Sequence, residues 1–167
     1  MADQRLEAQV GELLRERGWT IGTAESCTGG LVMHRLTNIP GSSDYVVGGI
    51  VAYSNPVKQS LLRVHPGTLI AHGAVSEETA REMAVGAREL LGADVAVSVT
   101  GIAGPGGGTA EKPVGLTYIA VAAPEDTVIV QRHVWNGDRE TVKSQSAEAA
   151  LQLVFNTISK LSVPNRP

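Results

Sequence analysis

The apolar positions Leu6, Val10, Leu13 and Leu14 recur at helical spacing and Gly18 follows them, which predicts an amphipathic helix over 3–17. A short strand is expected over 19–24. Gly29 and Gly30 then open a helix that runs to about Asn38 and breaks at Ile39, Pro40 and Gly41. The β-branched and aromatic run 45–53 predicts a buried strand, and Asn55-Pro56 sets a proline where the first turn of a helix tolerates it, with Lys58 in that turn. Ser76 followed by Glu77 and Glu78 marks a helix start, its inward face formed by Ala80, Met83, Ala84, Ala87, Leu90 and Leu91 and its end by Gly92. Strands are expected over 94–100, 114–123 and 127–135, the last two joined as a hairpin through Pro124-Glu125-Asp126. Asp138 caps a final helix with Val142, Ala149, Leu153, Val154, Ile158 and Leu161 inward. Helices interleaved with strands, plus one hairpin, predict an α/β fold: a three-layer α/β/α sandwich on a mixed, mostly parallel sheet of about five strands. Residues 1–163 read as one domain and 164–167 as a flexible tail.

Composition narrows the class of partner. The 167 residues are 43% hydrophobic and 19% charged, enough apolar content for one sizeable core. A net charge of -3 offers no global attraction to nucleic acid or anionic lipid, so neither is expected as a partner and an anionic ligand must be held by local donors. The single cysteine excludes an internal disulfide and a multi-cysteine zinc site. The four histidines are scattered without metal-ligand spacing, so no metal and no cofactor is expected. The charged N-terminus and the lack of any long apolar run lead to the expectation of a cytoplasmic protein.

Three segments concentrate polar and glycine residues at strand ends, where open α/β sheets assemble ligand sites. In Thr23-Ala24-Glu25-Ser26-Cys27-Thr28-Gly29-Gly30, a hydroxyl sits where a strand turns into a helix. The unpaired N–H groups of that helix suit an oxyanion or a phosphate, although capping by Ser26 or Thr28 is the plain alternative. Tyr53-Ser54-Asn55-Pro56-Val57-Lys58 supplies a phenol, a hydroxyl, an amide and an amine. A serine without a histidine partner needs another base, and a desolvated lysine can serve, whereas an ordinary Lys58 would be solvated. The run 100–108, Thr100 followed by a glycine-rich stretch, can bend close to a ligand or remain a surface loop. It matches neither a Rossmann nor a P-loop motif. Cys27 reads as a small buried thiol rather than a nucleophile.

Taken together with Ala74-Val75-Ser76, Ser98-Val99-Thr100-Gly101-Ile102-Ala103-Gly104-Pro105 and Lys112-Pro113-Val114-Gly115, these motifs resemble the CinA C-terminal family over nearly the whole chain. The resemblance implies a nicotinamide-nucleotide amidohydrolase, called PncC when it stands alone, that converts nicotinamide mononucleotide to nicotinic acid mononucleotide and ammonia. It implies a metal-free Ser/Lys mechanism, with Ser26 as nucleophile, Lys58 as base and Tyr53 beside them. It places substrate contacts on Thr28, Gly29, Gly30, Thr100, Gly101, Ala103, Gly104 and Arg139, and it implies a homo-oligomer, dimer or higher. Many relatives carry an N-terminal nucleotide pyrophosphatase domain for which these 167 residues leave no room, so that second activity is not expected. The rival readings are a nucleotide-binding module of the same fold without catalysis, and a phosphoryl-transfer enzyme built on the glycine-rich loop.

Overall fold

The computed structural model describes residues 4–162 of the chain. The predicted tail 164–167 and the first residue of the predicted first helix lie outside them. In chain order the elements are α1 (Leu6–Arg17), β1 (Ile21–Glu25), α2 (Leu31–Thr37), β2 (Val46–Val51), α3 (Asn55–Ser60), α4 (Pro66–His72), α5 (Glu77–Leu91), β3 (Val95–Gly101), β4 (Leu116–Ala123), β5 (Thr127–Val134) and α6 (Arg139–Lys160). Caps set several of these boundaries: Ser54, Ser76 and Asp138 each accept from the amide three residues on. Gly18 and Gly92 close α1 and α5 in the left-handed conformation.

The five strands form one sheet in the order β2-β1-β3-β4-β5. The β1 pairings with β2 and β3 are parallel and the β3-β4 and β4-β5 pairings antiparallel, so only β4 runs against the rest. This is the predicted mixed, mostly parallel sheet. Helices cover both faces, as predicted. Val97, Val99, Ile119 and Val121 pack with Leu14, Leu36, Leu151 and Val154 on the face of α1, α2 and α6. The opposite face is lined by Ala24, Ala96, Ala120 and Ala122, and meets Ala80, Ala84 and Ala87 of α5. Small residues on both surfaces let α5 lie close to the sheet, and Ser98 Oγ, buried there, donates to Ala80 O at 2.6 Å. Among the described residues no helix is long and apolar enough to cross a membrane.

Two expectations need correction, and one helix lies where none was expected. The run 45–53 is an edge strand rather than a buried one: Val47 and Val51 are exposed, because β2 has a neighbour only on the β1 side. Leu90 is also exposed, since it lies in the last turn of α5 and faces away from the sheet. Helix α4 was not anticipated, although Pro66 in its first turn is a start signal.

The approach of α5 to the segment after α3 fixes the height of Lys58. A Cβ on Gly86 would lie 1.8 Å from Leu62 O, and Val64 N donates to Lys58 O at 3.1 Å. Gly86→Ala is expected to destabilise the protein by about 1–3 kcal/mol despite the better helix propensity of alanine, because backbone rather than a movable side chain must yield. A denaturant midpoint no lower than wild type would count against this packing.

Candidate active site

Strand β1 ends at a point where the chain turns to β2 on one side while β3 lies on the other, which is where open α/β sheets leave a crevice. Ser26 follows β1 directly, and its amide donates to Val99 O of β3 at 2.9 Å, so its position is tied to the sheet. Lys58, on α3, arrives from the end of β2. Its side chain is 1% exposed, and Nζ lies 3.1 Å from Ser26 Oγ. The pair separated by 32 residues in sequence therefore meets in space.

The surroundings of Nζ determine what the amine does. Nζ also donates to Ala52 O at 2.8 Å and to Tyr53 O at 3.2 Å. A neutral amine has two N–H bonds and one lone pair. In the neutral form, with both N–H groups on the two carbonyls, the lone pair is left for the hydroxyl hydrogen of Ser26. Among the described residues no carboxylate contacts Nζ, and burial lowers the Lys58 pKa from the ordinary lysine value by desolvating the charged form. Cys27 is buried with its pKa pushed up to about 11, chiefly by desolvation, so the thiol stays protonated beside the serine hydroxyl.

The turn after Ser26 is organised by a residue that the sequence reading passed over. Glu25, 1% exposed, accepts from Val32 N at 2.9 Å and from Met33 N at 3.1 Å, and from Thr23 Oγ1 at 3.3 Å. The first amides of α2 are thus filled by an internal carboxylate and are not open to an oxyanion. An acidic residue at the end of an otherwise apolar strand was the available signal. Ser26 and Thr28 do not cap α2 with their side chains either, which removes the capping alternative for Ser26. Within the turn, Gly29 N donates to Ser26 O, while Cys27, Thr28 and Gly30 donate to no backbone carbonyl among the described residues.

Ser26 and Lys58 open into a cavity of about 300 Å³, whose walls include Tyr53, Thr100, Gly101, Ala103, Gly104 and Arg139. Asn55, the amide that the sequence offers in the segment before Lys58, also lines it, as do Ala74 and Val75. Thr100 Oγ1 donates to Ala74 O at 2.7 Å, so its hydrogen is committed and its lone pairs remain. The Tyr53 phenol, largely exposed, points to Arg139 rather than to the serine: Arg139 Nη2 donates to Tyr53 Oη at 3.1 Å and Nη1 to Gly104 O at 2.8 Å. Arg139 therefore joins two walls. The glycine-rich loop is a folded wall as well. Thr109 N donates to Lys112 O, Gly115 N to Ile102 O, and Lys112 Nζ to His72 O at the end of α4.

Thr28, Gly29 and Gly30 lie outside this cavity and line an adjoining one of about 440 Å³ with His34, Glu140 and Lys143. Among the described residues no group of three or more His, Cys, Asp or Glu side chains could hold a metal ion.

A model of the CinA C-terminal domain matches residues 3–158. A CinA-like protein of Chloroherpeton thalassium is 54% identical over 155 residues, which make up 91% of this chain and 37% of that protein. Two solved structures are similar throughout. Competence damage-inducible protein A from Klebsiella pneumoniae superposes with a TM-score of 0.90 at 35% identity, covering 94% of this chain and 97% of that one. Competence/damage inducible protein CihA from Agrobacterium tumefaciens gives 0.88 at 38% identity, over 96% of this chain and 99% of that one. The chain spans little more than a third of the length of the first curated relatives it matches, 37% in the Moorella thermoacetica and Chloroherpeton thalassium proteins.

Proposed function

The chain belongs to the CinA C-terminal domain family, and on that footing we propose that it is an amidohydrolase of pyridine nucleotides, releasing ammonia from nicotinamide mononucleotide by a Ser/Lys mechanism. The observation that carries this reading is the 3.1 Å contact between Ser26 Oγ and a buried lysine whose two remaining N–H groups have carbonyl acceptors.

In the first half-reaction the Ser26 hydroxyl gives its proton to Lys58 Nζ as Oγ bonds to the carboxamide carbon and the C=O π electrons move to oxygen. Lys58 then returns the proton to the amide nitrogen, the C–N bond breaks, and ammonia leaves an ester on Ser26. Water attacks that ester with Lys58 again taking a proton, releasing the carboxylate and restoring the hydroxyl. The oxyanion donor is the Cys27 amide, which has no backbone acceptor among the described residues and belongs to the turn residue that lines the serine cavity, since the Ser26 amide and the start of α2 are already occupied. Arg139 and Tyr53 form the wall against which the nucleotide lies, and Thr100, Gly101, Ala103 and Gly104 supply contacts from the opposite loop.

The decisive assay is ammonia release from nicotinamide mononucleotide by the purified protein, with and without chelator. Turnover that persists in chelator is the expected result. Tight binding without ammonia would favour the nucleotide-binding module, and dependence on a divalent ion would favour phosphoryl transfer.

A further inference from the structure

Glu25 immediately precedes the nucleophile and is 1% exposed, yet it is not among the residues that line the serine cavity. Thr23 and Glu25 alternate along β1, so both side chains lie on the face of the sheet that α2 covers. The two carboxylate oxygens serve separate donors: Oε1 takes Val32 N, while Oε2 takes Met33 N and Thr23 Oγ1. All three donors are neutral N–H or O–H groups. A glutamine offers one accepting oxygen and an NH2 group that would meet another N–H, so the arrangement suits a carboxylate and not its amide.

Two observations carry the consequence to the reaction centre. First, α2 depends on Glu25 at this end: its N-cap, Gly30, makes no side-chain hydrogen bond, and its first turn holds no acidic residue. A helix of seven residues is marginal by itself. The bond from Glu25 to Val32 therefore closes residues 25–32 into a loop that includes Ser26 and Cys27. Gly29 and Gly30, with φ of 64° and 104°, permit the turn but also leave it soft, because glycine reaches many other conformations as readily. The carboxylate offsets that freedom. Second, the backbone of Glu25 reaches towards the base: Ala52 N donates to Glu25 O at 2.8 Å, and Ala52 O accepts from Lys58 Nζ at 2.8 Å. One residue thus holds the nucleophile turn by its side chain and the acceptor of the base by its carbonyl.

We infer that Glu25 is a positioning residue for the reaction: its carboxylate holds Ser26 Oγ towards Lys58 and the Cys27 amide towards the developing oxyanion, without touching substrate. The inference rests on the amidohydrolase reading for the reaction it serves, whereas the restraint on the turn is independent of any substrate. Losing the restraint leaves binding in place and misaligns the reacting atoms, so it acts on kcat and not on KM.

The test measures ammonia release from nicotinamide mononucleotide by wild type, Glu25→Gln, Glu25→Asp and Ser98→Ala. Ser98→Ala removes a buried hydrogen bond to Ala80 O on the other face of the sheet, which weakens the fold and leaves the serine turn intact. Glu25→Gln should lower kcat at least about tenfold with KM within about twofold of wild type. Glu25→Asp, one methylene too short to keep both amides, should show a loss of the same kind, and Ser98→Ala should keep the wild-type kcat. In amide hydrogen exchange, Ser26 N and Gly29 N, bonded to Val99 O and Ser26 O, should exchange at least about tenfold faster in Glu25→Gln than in Ser98→Ala. A kcat within about twofold of wild type in folded Glu25→Gln overturns the proposal. An equal loss in Ser98→Ala overturns it too, as does failure of both Glu25 variants to fold, since the residue would then serve stability alone. If wild type itself releases no ammonia, it is the amidohydrolase reading that fails, and exchange decides the restraint: unaltered rates at Ser26 and Gly29 overturn it.

Discussion

Replacing Ser26 by alanine should reduce ammonia release by at least about a thousandfold, the usual scale for removing a covalent nucleophile whose partners remain in place. The substitution removes a side-chain oxygen whose hydrogen-bond partner is Lys58 Nζ, and the backbone bond from Ser26 N to Val99 O is untouched. Nζ keeps its carbonyl acceptors at Ala52 and Tyr53 and loses only its contact with the serine oxygen. The variant should therefore fold as wild type and bind nicotinamide mononucleotide with similar affinity, so that the loss falls in kcat. Calorimetric binding together with a steady-state ammonia assay separates the two. Substantial turnover in a folded Ser26→Ala protein would remove the serine from the mechanism. Cys27 could not easily take its place, because its burial holds the thiol protonated.

Lys58→Met is the second large effect, and it carries a pH signature. The base must be neutral, and desolvation favours the neutral amine. The acid limb of kcat/KM in wild type should therefore rise with pH through a Lys58 pKa below the ordinary lysine value and level off once the amine is neutral. Lys58→Met should lose about two to four orders of magnitude in acylation and lose that limb with it. Lys58→Arg should fail as well, since arginine does not deprotonate in proteins. Folding gives an independent check. A lysine pKa that is lower in the folded state means that the unfolded chain binds more protons between the two values, so stability rises with pH across that window. Wild type should show this rise and Lys58→Met should not. An acid limb unchanged in Lys58→Met would assign the titration to another group.

Much of the fold could be read along the chain because its signals are local. Ser76 and Asp138 cap helices through the amide three residues on, Gly18 and Gly92 stop helices through their own backbone, and the hairpin of β4 and β5 needs only a short turn. The same holds for α3, where Asn55-Pro56 begins a helix and places Lys58 in its first turns. Edge and centre were less legible. Strands β2 and β3 are both rich in apolar residues, yet β3 is buried because β1 and β4 flank it, and β2 is half-exposed because it has one neighbour. Strand order belongs to the whole chain and not to the segment.

The serine-bearing turn divides along the same line. Sequence by itself determined that a hydroxyl would stand between a strand and a helix, that a lysine would lie in a later first turn, and that two glycines would allow positive φ beside the serine. It also supplied the family motifs. Tertiary structure alone decided that the lysine would reach the serine, because the parallel pairing of β1 with β2 brings the ends of two distant segments side by side. It alone decided that the lysine amine would be desolvated, since that depends on the helix and sheet closing over it. Tertiary contacts also gave the start of α2 to Glu25. Hydrogen bonds over three or four residues are encoded in spacing, whereas burial and charge environment are properties of packing, and the chemistry of Ser26 and Lys58 depends on the latter.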